Sequence, residues 1–250
     1  MLRITLVPDL RDADETPPRQ WTPALAVLIA MAATLSLSLS LCAPASAAPT
    51  AGDIYVYRVV NGYNNETVGT LQHEVTSASA TQGQAVAVTP DTRDLGLPRT
   101  EIYAADGQWL RHPLDSHGLA TDYEFTTALP ALQTPAAGKS WSVRVNATAL
   151  PHSVRRSVRI DGDMLGNERI RVPAGEFDTV KLRRIIYAGD RGDFKTETRV
   201  VEIDWYAPAL GRSVRSEIRS SWQELCSRRL CTYNGDWHIA ELSEVRAAAR

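Results

Sequence analysis

Serine and histidine side chains, which together can activate a hydroxyl nucleophile for hydrolysis, are adjacent in one short segment. The segment is Asp115-Ser116-His117, but neighbouring residues of an extended chain point to opposite sides, which favours a polar loop. Gly138-Lys139-Ser140-Trp141-Ser142 approaches the nucleophile motif G-x-S-x-G, but it lacks the last glycine and precedes a strand-like run. A hydrolase whose site is assembled from distant residues stays open and ranks last among three functional hypotheses.

Acidic residues with part of a calcium-loop spacing occur at Asp161-Gly162-Asp163. The segment lacks a third acidic ligand, and Val172 occupies the position at which a calcium loop carries glutamate. We therefore predict a hairpin turn here and no metal site. The chain has no glycine-rich loop for a dinucleotide or a phosphate, so the sequence predicts no cofactor either.

Two cysteines, Cys226 and Cys231, lie close together between two strand-like runs near the end of the chain. In an exported protein such a pair favours a disulfide, because the compartment is oxidising. The short spacing predicts a bond that pins the tip of a β-hairpin and stabilises the fold by only about 2 kcal/mol. A redox-active pair is the alternative, because Arg228 and Arg229 between the cysteines would favour a thiolate.

The first part of the chain has the pattern of an export signal. Residues 24–42 are apolar and uncharged, and Ala45 and Ala47 supply the small residues that signal peptidase requires. We expect cleavage after Ala47, which removes the third cysteine, Cys42. Residues 1–22 form an atypical extension, with three arginines against four acidic residues. The sequence predicts a signal peptide over 1–47, one β-rich domain over 48–250 and a periplasmic location; an uncleaved leader anchored in the inner membrane is the alternative.

The overall composition is that of an ordinary globular protein. The 250 residues include 27 basic and 29 acidic side chains, for a net charge of −2, and 44% are hydrophobic. Collagenous, coiled-coil and wholly disordered chains are excluded by this composition. Nucleic-acid binding rests on a large basic excess, so this class of function is excluded too.

Alternation of apolar and polar residues dominates the chain after residue 52. Trp141, Val143 and Val145 alternate with Ser142 and Arg144, which is the period of a half-buried β-strand. Helical periodicity is weak, and only residues 242–250 are predicted to end in a short helix. Turn signals separate the strand-like runs at Asn61-Gly62, Asp106-Gly107, Asp161-Gly162, Gly166-Asn167, Gly189-Asp190 and Asn234-Gly235.

Strands joined by short turns must pair antiparallel, because parallel pairing needs long crossover connections. The sequence therefore predicts an all-β fold. We expect an antiparallel, strongly curved sheet or an open β-barrel with few helical turns.

Three turn-and-strand motifs occur as a set: AGKSW at 137–141, VPAGEFDTVK at 172–181 and WYAPALGRSV at 205–214. Together they resemble the exported bacterial proteins of unknown function of the TapB family. These are similar, in turn, to curved-sheet periplasmic proteins such as the lipoprotein-localisation factors. The resemblance covers less than half of the predicted domain. It implies a curved β-sheet and transfers no catalytic residue.

The physical interpretation of the motif residues is structural. Pro173 presets a turn that Gly175 completes, while Pro208 ends one strand and Gly211 allows the chain to enter the next. Large motif side chains are predicted to cover the inner face of the sheet. The residues given these structural roles are Gly138, Trp141, Pro173, Gly175, Phe177, Trp205, Tyr206, Pro208 and Gly211.

A curved sheet with an apolar concave face must cover that face with a helix, another chain or a ligand. Few amphipathic helices are available here. We therefore expect a non-catalytic periplasmic protein that binds an apolar or lipidic ligand, or a partner that carries one. The alternative is a structural or assembly protein of the cell envelope without a ligand. The expected partners are a lipid or an envelope protein and no nucleic acid, with membrane association only if the leader is retained; the sequence assigns no oligomeric state.

Overall fold

A computed structural model describes residues 49–116, 119–130 and 140–248. The predicted leader, the motif residue Gly138 and the histidine of the Asp115-Ser116-His117 segment lie outside these residues. Over the part of the chain that is described, no helix is long and apolar enough to cross a membrane.

Twelve β-strands make up nearly all of the described chain, with one short 3₁₀ turn at Arg93–Leu95. The strands are β1 (Ile54–Asn61), β2 (Thr67–Ser79), β3 (Gly83–Pro90), β4 (Arg99–Tyr103), β5 (Trp109–Ser116), β6 (Leu119–Leu129), β7 (Ser140–Ala149), β8 (Val154–Val172), β9 (Gly175–Tyr187), β10 (Arg199–Ala207), β11 (Arg212–Cys226) and β12 (Arg229–Arg246).

Each strand pairs antiparallel with the strands before and after it in the sequence, and β1 pairs with β12 to close the ring. The prediction of an antiparallel, strongly curved all-β fold is confirmed, and the barrel is closed. The closing pair runs from Ile54 opposite Arg246 to Asn61 opposite His238. The predicted helix over 242–250 is wrong, because pairing with β1 keeps β12 extended to Arg246.

The predicted alternation is present in β7. Val145, Ala147 and Ala149 are buried, whereas Arg144 and Asn146 on the other face are exposed. This is the pattern of a strand with one face toward the barrel interior and the other toward water.

Two predicted turns, Asp161-Gly162 and Gly166-Asn167, are wrong, because β8 runs through both of them. Gly162 lies opposite Trp141 of β7, and a Cβ atom at this position would lie 2.1 Å from Cζ2 of the indole ring. Gly166 has a φ of +129° at a register shift in the pairing with β9, which is the position of a β-bulge. Both glycines therefore lie within β8 and do not end it.

The Asn234-Gly235 turn is wrong as well, because it lies inside β12. The pairing with β11 shifts register between Arg219 and Ser221 opposite this segment. A Cβ atom on Gly235 would lie 2.2 Å from Oγ of Ser220, so a larger residue here would have to displace this hydroxyl.

Apolar side chains pack into two clusters. The first apolar cluster consists of buried residues from β5 to β10: Trp109, Leu114, Tyr123, Phe125, Leu129, Val145, Ala147, Ala149, Val158, Ile160, Ile186 and Val200. The second apolar cluster consists of Tyr55, Tyr57, Val75, Val172, Trp205, Ala207, Val214 and Leu242.

The turn of the hairpin formed by β8 and β9 contacts β12. The backbone N–H of Ala174, in the turn of this hairpin, donates to the carbonyl of Leu242 at 3.0 Å. Val172 is buried with Leu242 in the second apolar cluster. Since β10 and β11 lie between β9 and β12 in the ring, this hairpin joins strands that do not otherwise meet.

Candidate functional site

A cavity of about 240 Å³ lies inside the barrel and is bordered by residues of both apolar clusters. Leu114 and Ile186 of the first cluster and Tyr57 of the second line it. Its lining also carries polar and charged side chains, among them His73, Arg99, Glu101, His112, Arg184, Glu202, Asp204 and Arg212. The inner face of the barrel is therefore amphipathic, whereas the sequence pattern predicted an apolar face.

Arg184 of β9 is the centre of the first polar group. Its side chain is only 1% exposed, and its Nε donates to Glu202 at 3.0 Å. A second ion pair joins Arg184 to Asp204, which also accepts a hydrogen bond from Ser216. Two carboxylates thus share one guanidinium, and the hydrogen bonds compensate for removing these charges from water.

Glu101 of β4 is the centre of the second polar group. Arg99 lies 3.2 Å from one of its carboxylate oxygens, and the hydroxyl of Tyr103 donates to the other at 2.6 Å. His112 lies 3.8 Å from the same carboxylate and stacks on Trp109, with ring centroids 3.9 Å apart. Burial alone would raise the pKa of Glu101, but the charges of His112 and Arg99 outweigh it and hold this pKa well below its usual range. Glu101 is therefore ionised at neutral pH.

Arg212 and His73 form a third polar group that contains no carboxylate. Arg212 of β11 is 8% exposed, and its Nη2 donates to Nδ1 of His73 at 3.3 Å. The guanidinium also lies over the ring of Tyr55, 4.7 Å from its centroid. Burial lowers the pKa of His73 to about 3, so its imidazole is neutral at neutral pH.

One atom of each partner is buried without a hydrogen bond: Nη1 of Arg212 and Nε2 of His73. Both residues line the cavity. Buried polar atoms are nearly always hydrogen-bonded in folded proteins, so these two atoms mark an incomplete part of the lining.

A separate, half-buried ion pair lies outside the cavity lining. Lys195 contacts Asp190 at 2.6 Å, and Asp190 also accepts hydrogen bonds from the backbone and hydroxyl of Thr198. Burial alone would raise the pKa of Asp190, but these bonds outweigh it and lower the pKa to about 2. The pair anchors the segment between β9 and β10.

Ser140 and Ser142, the serines of the glycine-lysine-serine segment, form hydrogen bonds with aspartates of the neighbouring strand. Ser140 of the glycine-lysine-serine segment donates to Asp163 at 2.7 Å, and Ser142 donates to Asp161 at 2.6 Å. These bonds join β7 and β8 as cross-strand pairs. Among the described residues, no group of three or more His, Cys, Asp or Glu side chains is arranged to hold a metal ion.

A disulfide joins Cys226 and Cys231, whose Cα atoms are 5.9 Å apart. Ser227 and Arg228, both with positive φ, form the turn between β11 and β12. The bond therefore lies at the tip of a hairpin, and neither cysteine lines the cavity.

The first two motifs contribute to strand contacts. Trp141 donates its indole N–H to the carbonyl of Pro130 at 3.0 Å. Pro173 lies in the turn that brings the β8–β9 hairpin to β12, Gly175 follows it with a φ of +140°, and Phe177 packs against the second apolar cluster. All four residues have structural positions away from the cavity lining.

In the third motif, two consecutive aromatic residues have different roles. Trp205 is buried in the second apolar cluster and donates to Glu168 at 3.0 Å, whereas Tyr206 lines the cavity. A register shift between them accompanies this change. Pro208 and Gly211 lie in the turn from β10 to β11, and Gly211 has a φ of +61°.

The sequence analysis does not identify the charged residues of the cavity as site residues, although the sequence contains a signal for them. Arg184 lies between Leu182 and Ile186, and Glu202 follows Val200, in each case at the phase of the alternation that points inward. A charge at an apolar phase in a buried strand requires a partner or a ligand.

No protein-family model matches this chain, and no curated protein matches it. A lipoprotein candidate from Parabacteroides distasonis ATCC 8503 is similar at 15% identity and a TM-score of 0.45, over 79% of this chain and 96% of that chain. An exported-protein candidate with a YmcC-like fold from Bacteroides fragilis NCTC 9343 is similar at 14% identity and a TM-score of 0.43, over 81% of this chain and 99% of that chain.

The hypothetical lipoprotein YmcC from Escherichia coli (K12) is similar at 10% identity and a TM-score of 0.37, over 77% of this chain and 83% of that chain. No role is transferred from similarities of this strength. The resemblance to the TapB family stays a prediction.

Proposed function

We propose that this chain is a non-catalytic protein of the bacterial cell envelope that binds a small amphipathic molecule of lipid type inside its barrel. The observation that carries the proposal is the cavity of about 240 Å³, lined by apolar residues of both clusters and by buried charged groups. A ligand with an apolar part and a polar head matches such a lining, since ligand pockets combine apolar walls with a few placed polar groups.

The size of the cavity limits the ligand. The cavity has a volume of about 240 Å³. This volume suits a small molecule, or the end of a lipid whose remainder lies outside. Asp94 and Asp236, both exposed, border the cavity, so we place its opening beside them.

The polar lining supports binding over a purely structural role. Replacing buried ion pairs by apolar side chains of similar volume is often neutral or stabilising, so the charges inside the barrel are weak contributors to stability. In the alternative, a structural envelope protein without a ligand, a filled apolar interior would stabilise the fold more than a polar cavity does. We therefore rank ligand binding first.

Fluorescence of the neutral probe N-phenylnaphthylamine tests the proposal. The folded protein should bind the probe saturably and increase its emission, because the probe is apolar and apolar side chains form part of the cavity wall. Ala240 lines the cavity, so Ala240→Phe should fill it and abolish binding. Ala78→Phe, at an exposed position on β2, is the matched control and should bind as the unmodified protein does.

Near-ultraviolet circular dichroism should show that both variants are folded. Probe binding that is absent from the unmodified protein, or equal in both variants, would contradict a ligand site in the cavity.

A further inference from the structure

The unsatisfied atoms of Arg212 and His73 are both hydrogen-bond donors. A guanidinium has only N–H donors, so the contact at 3.3 Å requires Nδ1 of His73 to be the acceptor. A neutral imidazole that accepts at Nδ1 carries its proton on Nε2. Two buried N–H groups, Nη1–H of Arg212 and Nε2–H of His73, are therefore left without an acceptor.

Among the three arginines that line the cavity, Arg212 differs from the other two. Arg184 is paired with Glu202 and Asp204, and Arg99 is paired with Glu101. No ion pair of Arg212 is present within the described residues. Its guanidinium lies over the ring of Tyr55, and the charge of Glu101, whose carboxylate is paired with Arg99, acts on it without direct contact. A buried cation in this state is costly unless an acceptor of opposite charge completes it.

We propose that Arg212 and His73 form an anion subsite of the barrel, which binds the carboxylate of an amphipathic ligand. A carboxylate has two oxygens that can accept from Nη1–H of Arg212 and Nε2–H of His73. Its negative charge also compensates the positive charge of the guanidinium. The apolar part of the ligand then lies in the remainder of the cavity, beside Leu71 and Tyr57, which line it. This inference rests on the proposed function and adds the chemical class of the head group.

Two sources share this chemistry: the carboxylate of a fatty acid and that of a free small organic acid. Calorimetric titration of the full protein with hexanoate, acetate and the neutral alcohol hexanol separates them. Hexanoate should bind about ten- to one-hundredfold more tightly than hexanol, which is the range for hydrogen bonds to charged groups. Hexanoate well above acetate indicates a fatty acid, whereas equal affinities indicate a small acid; both results support the subsite.

Arg212→Gln is the decisive variant. It should lower hexanoate affinity by about ten- to one-hundredfold and leave hexanol affinity unchanged, because only the carboxylate contacts the guanidinium. Arg144→Gln, at an exposed position on β7, is the matched control and should change neither affinity. Loss of hexanol affinity together with hexanoate affinity would mean that the variant disturbs the whole cavity, and would overturn the assignment.

A measurement on the unmodified protein covers the case in which Arg212→Gln does not fold. Nuclear magnetic resonance of protein with isotope-labelled histidine should show the Nε2 signal of His73 shifting saturably as hexanoate is added. An unmoved signal would mean that the two donors bind water, and failure of all carboxylates to bind would equally overturn the subsite. Neither result touches the binding of N-phenylnaphthylamine, on which the proposed function is judged separately.

Discussion

The contact between Gly162 of β8 and Trp141 of β7 makes a quantitative prediction about stability. A Cβ atom added at Gly162 would lie 2.1 Å from Cζ2 and 2.2 Å from Cε2 of the indole, so Gly162→Ala must displace the ring. Overpacking of this kind costs about 1–3 kcal/mol, and loss of the indole hydrogen bond to Pro130 adds about 1 kcal/mol. Alanine restricts the unfolded chain and returns up to about 1 kcal/mol. We expect Gly162→Ala to lower the free energy of unfolding by about 1–4 kcal/mol.

Denaturant titration of a double-mutant cycle isolates this effect. In the background of Trp141→Ala the obstructing ring is gone, so Gly162→Ala should be neutral or slightly stabilising. Gly192→Ala is the matched control, because its added methyl group would meet only Cβ of Lys195 at 3.9 Å. If Gly162→Ala cost the same with and without the tryptophan, the steric argument would be refuted and the glycine would be required by the backbone itself.

Three further predictions concern buried charges and the disulfide. Arg184→Met should lower the free energy of unfolding by about 3–5 kcal/mol in denaturant titrations, because it leaves two buried carboxylates without a positive partner. Adding Glu202→Gln removes one of these charges and should recover part of the loss. Asp190→Asn should cost about 2 kcal/mol near neutral pH, because the pKa of Asp190 is about 2 in the folded protein and about 3.9 in an unfolded chain. That difference should hold above about pH 5 and vanish as the pH falls towards 2; a difference independent of pH would contradict the electrostatic origin. Replacing Cys226 and Cys231 by serine should cost at most about 2 kcal/mol and leave the far-ultraviolet circular dichroism of the barrel unchanged.

Local pattern was sufficient to predict the fold class. Alternation in segments such as β7 depends only on which residues face the core, and it is visible along the chain without knowledge of any partner. The turns at Asp161-Gly162 and Asn234-Gly235 were mispredicted because glycine has two uses that look alike in sequence. It permits a chain reversal, and it also admits a bulky neighbour from the next strand, here Trp141 against Gly162.

The candidate site could not be predicted from local sequence pattern, because its residues come from distant positions in the chain. Arg212 and His73 are separated by 139 residues, and β2 comes near β11 only because β1 and β12 close the ring between them. The sequence does show charged residues at strand positions where the alternation predicts an inward-facing apolar side chain, as at Arg184 or Glu202. Such a residue indicates that the interior is polar, but its partner is decided by the topology.

The pairing of β1 with β12 also constrains how the protein can fold. Every other strand pair joins neighbours in sequence, so those hairpins can form early and locally. The closing pair joins Ile54 to Arg246, which leaves almost the whole domain as a loop to be closed in one step. During synthesis β1 is made first, and one of its edges stays unpaired until β12 has been made. That edge is the part of the chain most exposed to mispairing with other chains.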